Sequence, residues 1–129
     1  MKTESNHIAL NRLDKVGIIC SGACAIHCLL IPVIAYSSPF IAKYFQNEMI
    51  HIGLLVVLIP IALINFTRSS KIHGNNKPLL IGILGIVLLV VAVLVESLHI
   101  EIPYLEKSLT GIGSLLLIAA HTINLKSLK

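Results

Sequence analysis

The chain has 129 residues, of which 56% are apolar and only 12% carry a charge. A soluble domain carries about 25% charged residues, so this composition excludes a water-soluble enzyme. It also excludes a disordered chain, because so much apolar surface cannot stay solvated. The formal net charge of +4 serves in a membrane protein as a guide to orientation and does not indicate a nucleic-acid partner. The three cysteines, an odd number, all lie in one apolar stretch, which argues against the disulfide framework of a secreted protein.

Four long apolar stretches predict four membrane-spanning helices, at about residues 16–36, 49–66, 79–95 and 109–125. Each stretch is close to the roughly 20 residues that an α-helix needs to cross the hydrocarbon core. The first is too long for the apolar core of a cleaved signal peptide, and it contains Cys, His and Pro. Because the connecting loops are short, we expect a single membrane domain over residues 1–129, folded as an all-α, antiparallel four-transmembrane-helix bundle.

Basic residues are concentrated in alternate loops. They precede the first stretch, separate the second from the third, and follow the fourth, whereas each remaining loop holds one lysine together with acidic residues. The concentrated cations are Lys2, Arg12, Lys15, Arg68, Lys71, Lys77, Lys126 and Lys129. By the positive-inside rule, this distribution places both termini in the cytoplasm and predicts a multi-pass protein of the bacterial inner (cytoplasmic) membrane.

The first stretch carries four side chains that can bind a metal ion: Cys20, Cys24, His27 and Cys28. At about 100° per residue they share one stripe of helix surface roughly 100° wide, and Gly17 lies on the same face. Neighbours lie one turn apart, and thiolate and imidazole are ligands that Zn²⁺, Cu⁺ and Hg²⁺ prefer. The stripe therefore predicts a relay in which an ion passes between ligands at successive depths. The alternative is that the cysteines are small apolar filler.

The second and third predicted helices each place a polar group near the outer membrane surface. His51 lies near the outer end of the second helix and Glu96 near that of the third, with His99 in the following loop. We expect these groups to capture a hydrated cation, and the alternative is that His51 and Glu96 merely face water at the interface. Gly82 and Gly85 share the face of Glu96, where small residues let helices approach closely.

The fourth predicted helix adds His121. It falls on one line of the helix with Thr110 and Ser114, and Asn124 lies nearby. An imidazole inside a membrane is costly to bury and indicates a functional site by default. His121 is therefore a further candidate metal ligand, unless it simply forms an interhelical hydrogen bond to Ser or Thr.

At these residues the sequence resembles the MerC family of small four-span membrane proteins, which is linked to mercuric-ion uptake. The resembling run is Asp14-Lys15-x-Gly17, then Ser21-x-x-Cys24-Ala25-Ile26-His27-Cys28, then Pro32. The later positions that fit the family are His51, Glu96, Ser114, His121 and Asn124. The resemblance covers essentially the whole chain and implies that Cys24 and Cys28 bind the metal and pass it to the cytoplasm. The family's mercury transporter has a Cys-x-x-Cys pair, whereas this chain has Cys-x-x-His-Cys with Cys20 in addition.

Together these features predict a transporter and not an enzyme. It would move a thiophilic transition-metal ion, Zn²⁺ or Hg²⁺, towards the cytoplasm through a Cys/His relay. The candidate metal-binding residues are Cys24, His27, Cys28, Cys20, His121, His51 and Glu96. No cofactor is expected besides the transported or bound ion (Zn²⁺, Hg²⁺ or Cu⁺). The expected partners are that ion and the lipid bilayer, with no nucleic acid, while a homo-oligomer and a periplasmic or cytoplasmic metal carrier stay open.

Three alternative functions remain compatible with the same residues. A membrane thiol–disulfide oxidoreductase would need a thiol pair at the outer surface, but neither predicted outer loop contains Cys. A b-type haem-binding subunit would need two His at one depth on facing helices, for which His27 with His121 is the available pair. The third is a membrane subunit that binds metal without transporting it.

Overall fold

The computed structural model describes residues 2–45, 47–100, 102 and 104–127 of the chain. Nine side chains within these ranges lie outside the description, namely those of Lys2, Thr3, Cys28, Leu29, Ile31, Pro32, Phe45, Glu48 and His51. The described residues form helices and contain no strand. The helices are α1 (Lys2–Ser37), α2 (Pro39–Phe45), α3 (Glu48–His73), α4 (Lys77–Ser97) and α5 (Leu105–Ser127). The predicted all-α class is confirmed.

Three helices are long and apolar enough to cross a membrane within the described part of the chain. The qualifying segments are Ile52–His73 of α3, Lys77–Ser97 of α4 and Leu105–Ser127 of α5. They coincide with the second, third and fourth predicted spans, so the chain is a membrane protein with several candidate spans. The first predicted span, 16–36, lies within α1 and includes side chains that are not described. Its crossing of the membrane stays a prediction.

Local sequence signals mark both ends of α3 and the beginning of α4. Asn47 caps the beginning of α3, where its side-chain oxygen accepts a hydrogen bond of 3.0 Å from the Met49 amide. Gly74 ends α3 in the left-handed conformation (φ 66°), which glycine adopts without steric cost, and its amide donates to the Ser70 carbonyl. Pro78 then occupies the first turn of α4, where its missing amide proton is not needed. The chain therefore reverses direction between α3 and α4.

Two features of the helices were not predicted. Helix α1 begins at Lys2 instead of residue 16. Its 36 residues make it about 54 Å long at 1.5 Å per residue, well beyond the ~30 Å hydrocarbon core. Helix α2 occupies the predicted loop between the first two spans, and the Ser38 carbonyl accepts from the amides of Ile41 and Ala42 in its first turn. A seven-residue helix has no hydropathy signal of its own.

Each long helix packs against at least two others. Helix α5 contacts α4 and α1, and α3 contacts α4 and α1 on the other side. The apolar core between them consists of Leu58, Ala62, Phe66, Leu89, Leu117 and Ala120. The start of α1, the end of α3, the start of α4 and the end of α5 lie together at one end, where the His7 and His73 rings are 5.4 Å apart. We call this the basic end, because it carries Arg12, Lys15, Arg68, Lys71, Lys77 and Lys126.

Glycines bring α4 and α5 into backbone contact. A Cβ at Gly85 would lie 3.0 Å from the Gly113 carbonyl oxygen, and a Cβ at Gly113 would lie 3.0 Å from the Gly85 carbonyl oxygen. Gly82 is similarly crowded, by the Phe66 ring. The prediction that Gly82 and Gly85 permit close helix approach is confirmed.

Gly85→Ala is expected to lower the free energy of unfolding by about 1–2 kcal/mol, because a backbone carbonyl cannot move aside as a flexible side chain can. Thermal unfolding in detergent micelles measures the change. Gly53→Ala is the matched control, since no atom lies within 4 Å of a Cβ built there. Alanine at position 53 should be neutral or slightly stabilising, because it is the better helix former. Equal effects of the two substitutions would show that the α4–α5 contact is less tight than described.

Candidate functional site

The buried face of α1 carries the chemistry of the site. Its buried residues are Leu10, Asp14, Gly17, Ser21 and Cys24, which alternate at spacings of four and three. This heptad spacing forms the narrow stripe by which a helix packs against its neighbours. Cys24 is therefore 6% exposed, whereas Cys20 and His27 lie at the edge of the stripe and are half-buried. Cys20 and Cys24 are both thiols.

The two described thiols face a narrow pocket between all four long helices. Glu96 of α4 and Thr110 of α5 supply its other polar groups. The apolar walls are Leu54, Leu55, Leu58, Leu89 and Val93. Three of the predicted metal-binding residues, Cys20, Cys24 and Glu96, thus line the same pocket. In such surroundings a charge interacts more strongly than it would in water.

Glu96 connects this pocket with an opening at the end opposite the basic end. The opening is lined by Glu96, His99, Glu106 and Lys107 together with Val95, Ile100, Ile102 and Tyr104. His99 adopts the left-handed conformation (φ 51°), and its Nδ1 donates a hydrogen bond of 3.1 Å to the Ser97 carbonyl. Since Nδ1 carries the proton in this bond, Nε2 of a neutral His99 ring keeps its lone pair. Glu96 and His99 thus line the same opening, whereas a capture site shared with His51 stays a prediction.

His121 lies in a separate polar cluster nearer the basic end. Its Nδ1 donates a hydrogen bond of 2.9 Å to Asp14 Oδ1. The Asn124 amide donates to Asp14 Oδ2 at 2.8 Å, and the Asn65 amide also donates to Oδ1. All four side chains are at most 1% exposed. The Asp14 carboxylate thereby joins α1 to α3 and α5.

Asp14 is the residue of this cluster that sequence reasoning missed. The alternative offered for His121, a hydrogen bond to Ser or Thr, is wrong, because the partner is a carboxylate on another helix. Asp14 precedes the predicted start of the first span at residue 16, so the hydropathy pattern does not single it out. The available signal was the four-and-three spacing, which extends the face of Cys24 back to Asp14 and Leu10.

The predicted relay includes side chains that the structure does not describe. The side chains of Cys28 and His51 lie outside the described residues. Among the side chains that are described, no group of three or more His, Cys, Asp or Glu is arranged to hold a metal ion. The structure separates His121, which lies against Gly17 and Asp14, from the pocket that Cys24 shares with Glu96. The joint ligation of one ion by Cys24, His27 and Cys28 stays a prediction.

Comparison with known proteins gives one match. The family model described as MerC mercury resistance protein matches residues 14–126, from Asp14 to the last turn of α5. A search of curated proteins and a search of solved structures gave no match. The matched region includes the thiol pocket, the opening beside it and the Asp14 cluster, and the resemblance to this family is confirmed. The chain belongs to the MerC mercury resistance protein family.

Proposed function

We propose that the protein transports a thiophilic transition-metal ion across the bacterial inner membrane towards the cytoplasm. Hg²⁺ is the first candidate, because the family is one of mercury resistance and is of transporter type. The observation that carries the proposal is the position of Glu96. It lines both the opening at one end of the helices and the inner pocket that holds the Cys20 and Cys24 thiols.

The proposed arrangement in the membrane is an antiparallel four-helix bundle with both termini in the cytoplasm. Three observations support it. Each long helix contacts at least two others, the six cations named for the basic end lie together, and the side chains exposed around the spans are large and apolar. The positive-inside rule assigns the basic end to the cytoplasm, so the opening at Glu96 faces the periplasm.

Capture of the ion begins at this opening. The carboxylate of Glu96 attracts a cation, and His99 offers an imidazole nitrogen beside it. His51 is proposed as a further capture group from its place at the same end of α3. The apolar walls of the inner pocket then favour an ion that gives up its water in exchange for soft ligands.

Transfer through the bundle is proposed to run along α1. Cys28, Cys24 and Cys20 follow one another at spacings of four residues, so successive sulfur ligands are about 6 Å apart along the helix. His27 and Cys28 would bind first, Cys24 next, and Cys20 nearer the basic end. Thiols must lose a proton to bind the ion, so each transfer releases or moves protons.

Zn²⁺ is the second candidate substrate. The favouring observation is that a carboxylate, Glu96, lines the same pocket as the thiols, and zinc accepts carboxylate, imidazole and thiolate ligands together. The oxidoreductase and haem-subunit alternatives gain no support from the family match. Moreover, the Cys20 and Cys24 thiols lie in a pocket between the helices and not at an outer surface.

Reconstituted vesicles test the function directly. We expect liposomes that contain the purified protein and a trapped metal-sensitive dye to respond to external Hg²⁺ faster than protein-free liposomes do. A parallel series with Zn²⁺ compares the two candidates, and Mg²⁺, which prefers oxygen ligands, should give no protein-dependent response. Identical rates with and without protein for both Hg²⁺ and Zn²⁺ would refute transport.

A further inference from the structure

The bond between His121 and Asp14 fixes where the imidazole carries its proton. A carboxylate can only accept hydrogen bonds, so Nδ1 of His121 must donate to Asp14 Oδ1, 2.9 Å away. In the neutral ring the lone pair then lies on Nε2. Asp14 accepts this bond and two more, from Asn65 at Oδ1 and from Asn124 at Oδ2.

The imidazole is also held rigidly in place. Phe66 packs on one side, with ring centroids 4.5 Å apart. Gly17 lies so close that any Cβ there would overlap the ring at Cε1 and Nε2. The ring therefore cannot turn away, and Nε2 lies against the buried face of α1.

Nε2 of His121 is a buried nitrogen that has no hydrogen-bond partner within the described part of the chain. Its exposed area is negligible, and no described residue forms a hydrogen bond with it. The hydroxyls of Ser21 and Ser114 are likewise buried and unpartnered among the described residues. Gly17, which Nε2 touches, lies three residues before Cys20 and four before Ser21, one turn nearer the basic end. Nε2 therefore lies beside the segment of α1 that immediately precedes Cys20.

This arrangement matches the way proteins present histidine to metals. A metal-binding His almost always donates its second ring nitrogen to a carboxylate or carbonyl, which fixes the tautomer and the ring orientation. We propose that Asp14 is a positioning residue that holds His121 in the Nδ1–H tautomer. Nε2 is thereby presented as a ligand for a borderline ion such as Zn²⁺ or Cd²⁺. As the last ligand of the relay this role rests on the proposed function, but the ligand itself can be tested separately.

Nitrogen NMR of the full chain with labelled histidines, in detergent micelles, tests the proposal. Without metal we expect His121 to show the Nδ1–H tautomer. Addition of NMR-active Cd²⁺ should shift the Nε2 resonance and split it by nitrogen–cadmium coupling. An unchanged Nε2 resonance in the wild-type protein would overturn the proposal, whether or not any variant folds.

Asp14→Asn separates positioning from mere structural support. The amide keeps the shape of the carboxylate but can donate to Nδ1, which moves the ring proton to Nε2, as in a catalytic triad whose Asp is replaced by Asn. We expect the inverted tautomer and an affinity of His121 for Cd²⁺ about 10–100-fold weaker. A folded Asp14→Asn variant with the original tautomer and affinity would contradict the proposal.

Asn124→Ala is the matched control, since it removes another buried bond of 2.8 Å to the same carboxylate without touching the His121 bond. It should lower thermal stability but keep both the tautomer and Cd²⁺ binding, and loss of both would refute positioning by Asp14.

Failure of the proposed function has a different signature. If vesicles show no transport while Nε2 still binds Cd²⁺, the metal ligand stands and the relay fails. If transport is observed while Nε2 ignores Cd²⁺, this inference alone fails.

Discussion

Replacement of both Cys24 and Cys28 by serine is expected to reduce Hg²⁺ uptake into protein-containing vesicles to the rate of protein-free vesicles. A serine hydroxyl is nearly the size of a thiol, so the helices should pack as before. Hydroxyl oxygen, however, is a poor ligand for a soft ion that thiolate sulfur binds strongly. The dye assay measures the rate, and thermal unfolding confirms that the variant is folded.

Ala23→Ser provides the control for this double variant. Ala23 lies in the same turn of α1 as Cys24, but on its exposed face. A hydroxyl at this position adds the same group without approaching the pocket, so uptake should match that of the wild-type protein. A double cysteine variant that still takes up Hg²⁺ at the wild-type rate would show that the ion does not pass through these thiols.

Gly17→Ala is expected to cost about 2–3 kcal/mol of stability. The new Cβ would occupy the space of the His121 imidazole. That ring cannot retreat, because Asp14 holds its Nδ1 and Phe66 packs against it. Overpacking of a rigid core is destabilising for this reason. Thermal unfolding in detergent measures the loss.

Gly22→Ala is the natural comparison, on the same helix and five residues away. No atom lies within 4 Å of a Cβ built at Gly22, so alanine should be neutral or stabilising by up to about 1 kcal/mol. If the two alanine variants unfold at the same temperature, then the imidazole is not confined by Gly17 and Phe66 as described.

Hydropathy was sufficient to predict three of the long helices, because a helix surrounded by lipid must be apolar over about 20 residues. It placed the start of α1 too late, since Lys2 to Lys15 form helix without being apolar. It missed α2 altogether, because Pro39–Phe45 is too short to show a period. Helix ends that lie outside the apolar core are thus set by local hydrogen bonds, which hydropathy averaged over a window of residues does not detect.

The position of the cysteines on one side of α1 was predictable, because helical periodicity depends only on the residues of a single helix. The spacing of Cys20 and Cys24 alone placed both on one side of α1, and both line the inner pocket. The Asp14 cluster was not predictable in this way, because Asp14 is 107 residues from His121 and 110 from Asn124. Such a pair depends on the register between two helices, which no local pattern specifies.

The wide sequence separation of these partners also determines when the hydrogen bonds to Asp14 can form during synthesis. Asp14 is synthesised well before His121 and Asn124, which follow it by 107 and 110 residues. A chain cut short before α5 retains only Asn65 as a donor to the carboxylate. A carboxylate that is buried without its partners is strongly destabilising, so a chain that ends before α5 should pack poorly around α1 and be recognisable to quality-control proteases. The contact between Asp14 and His121 thus distinguishes a chain that includes α5 from one that stops before it.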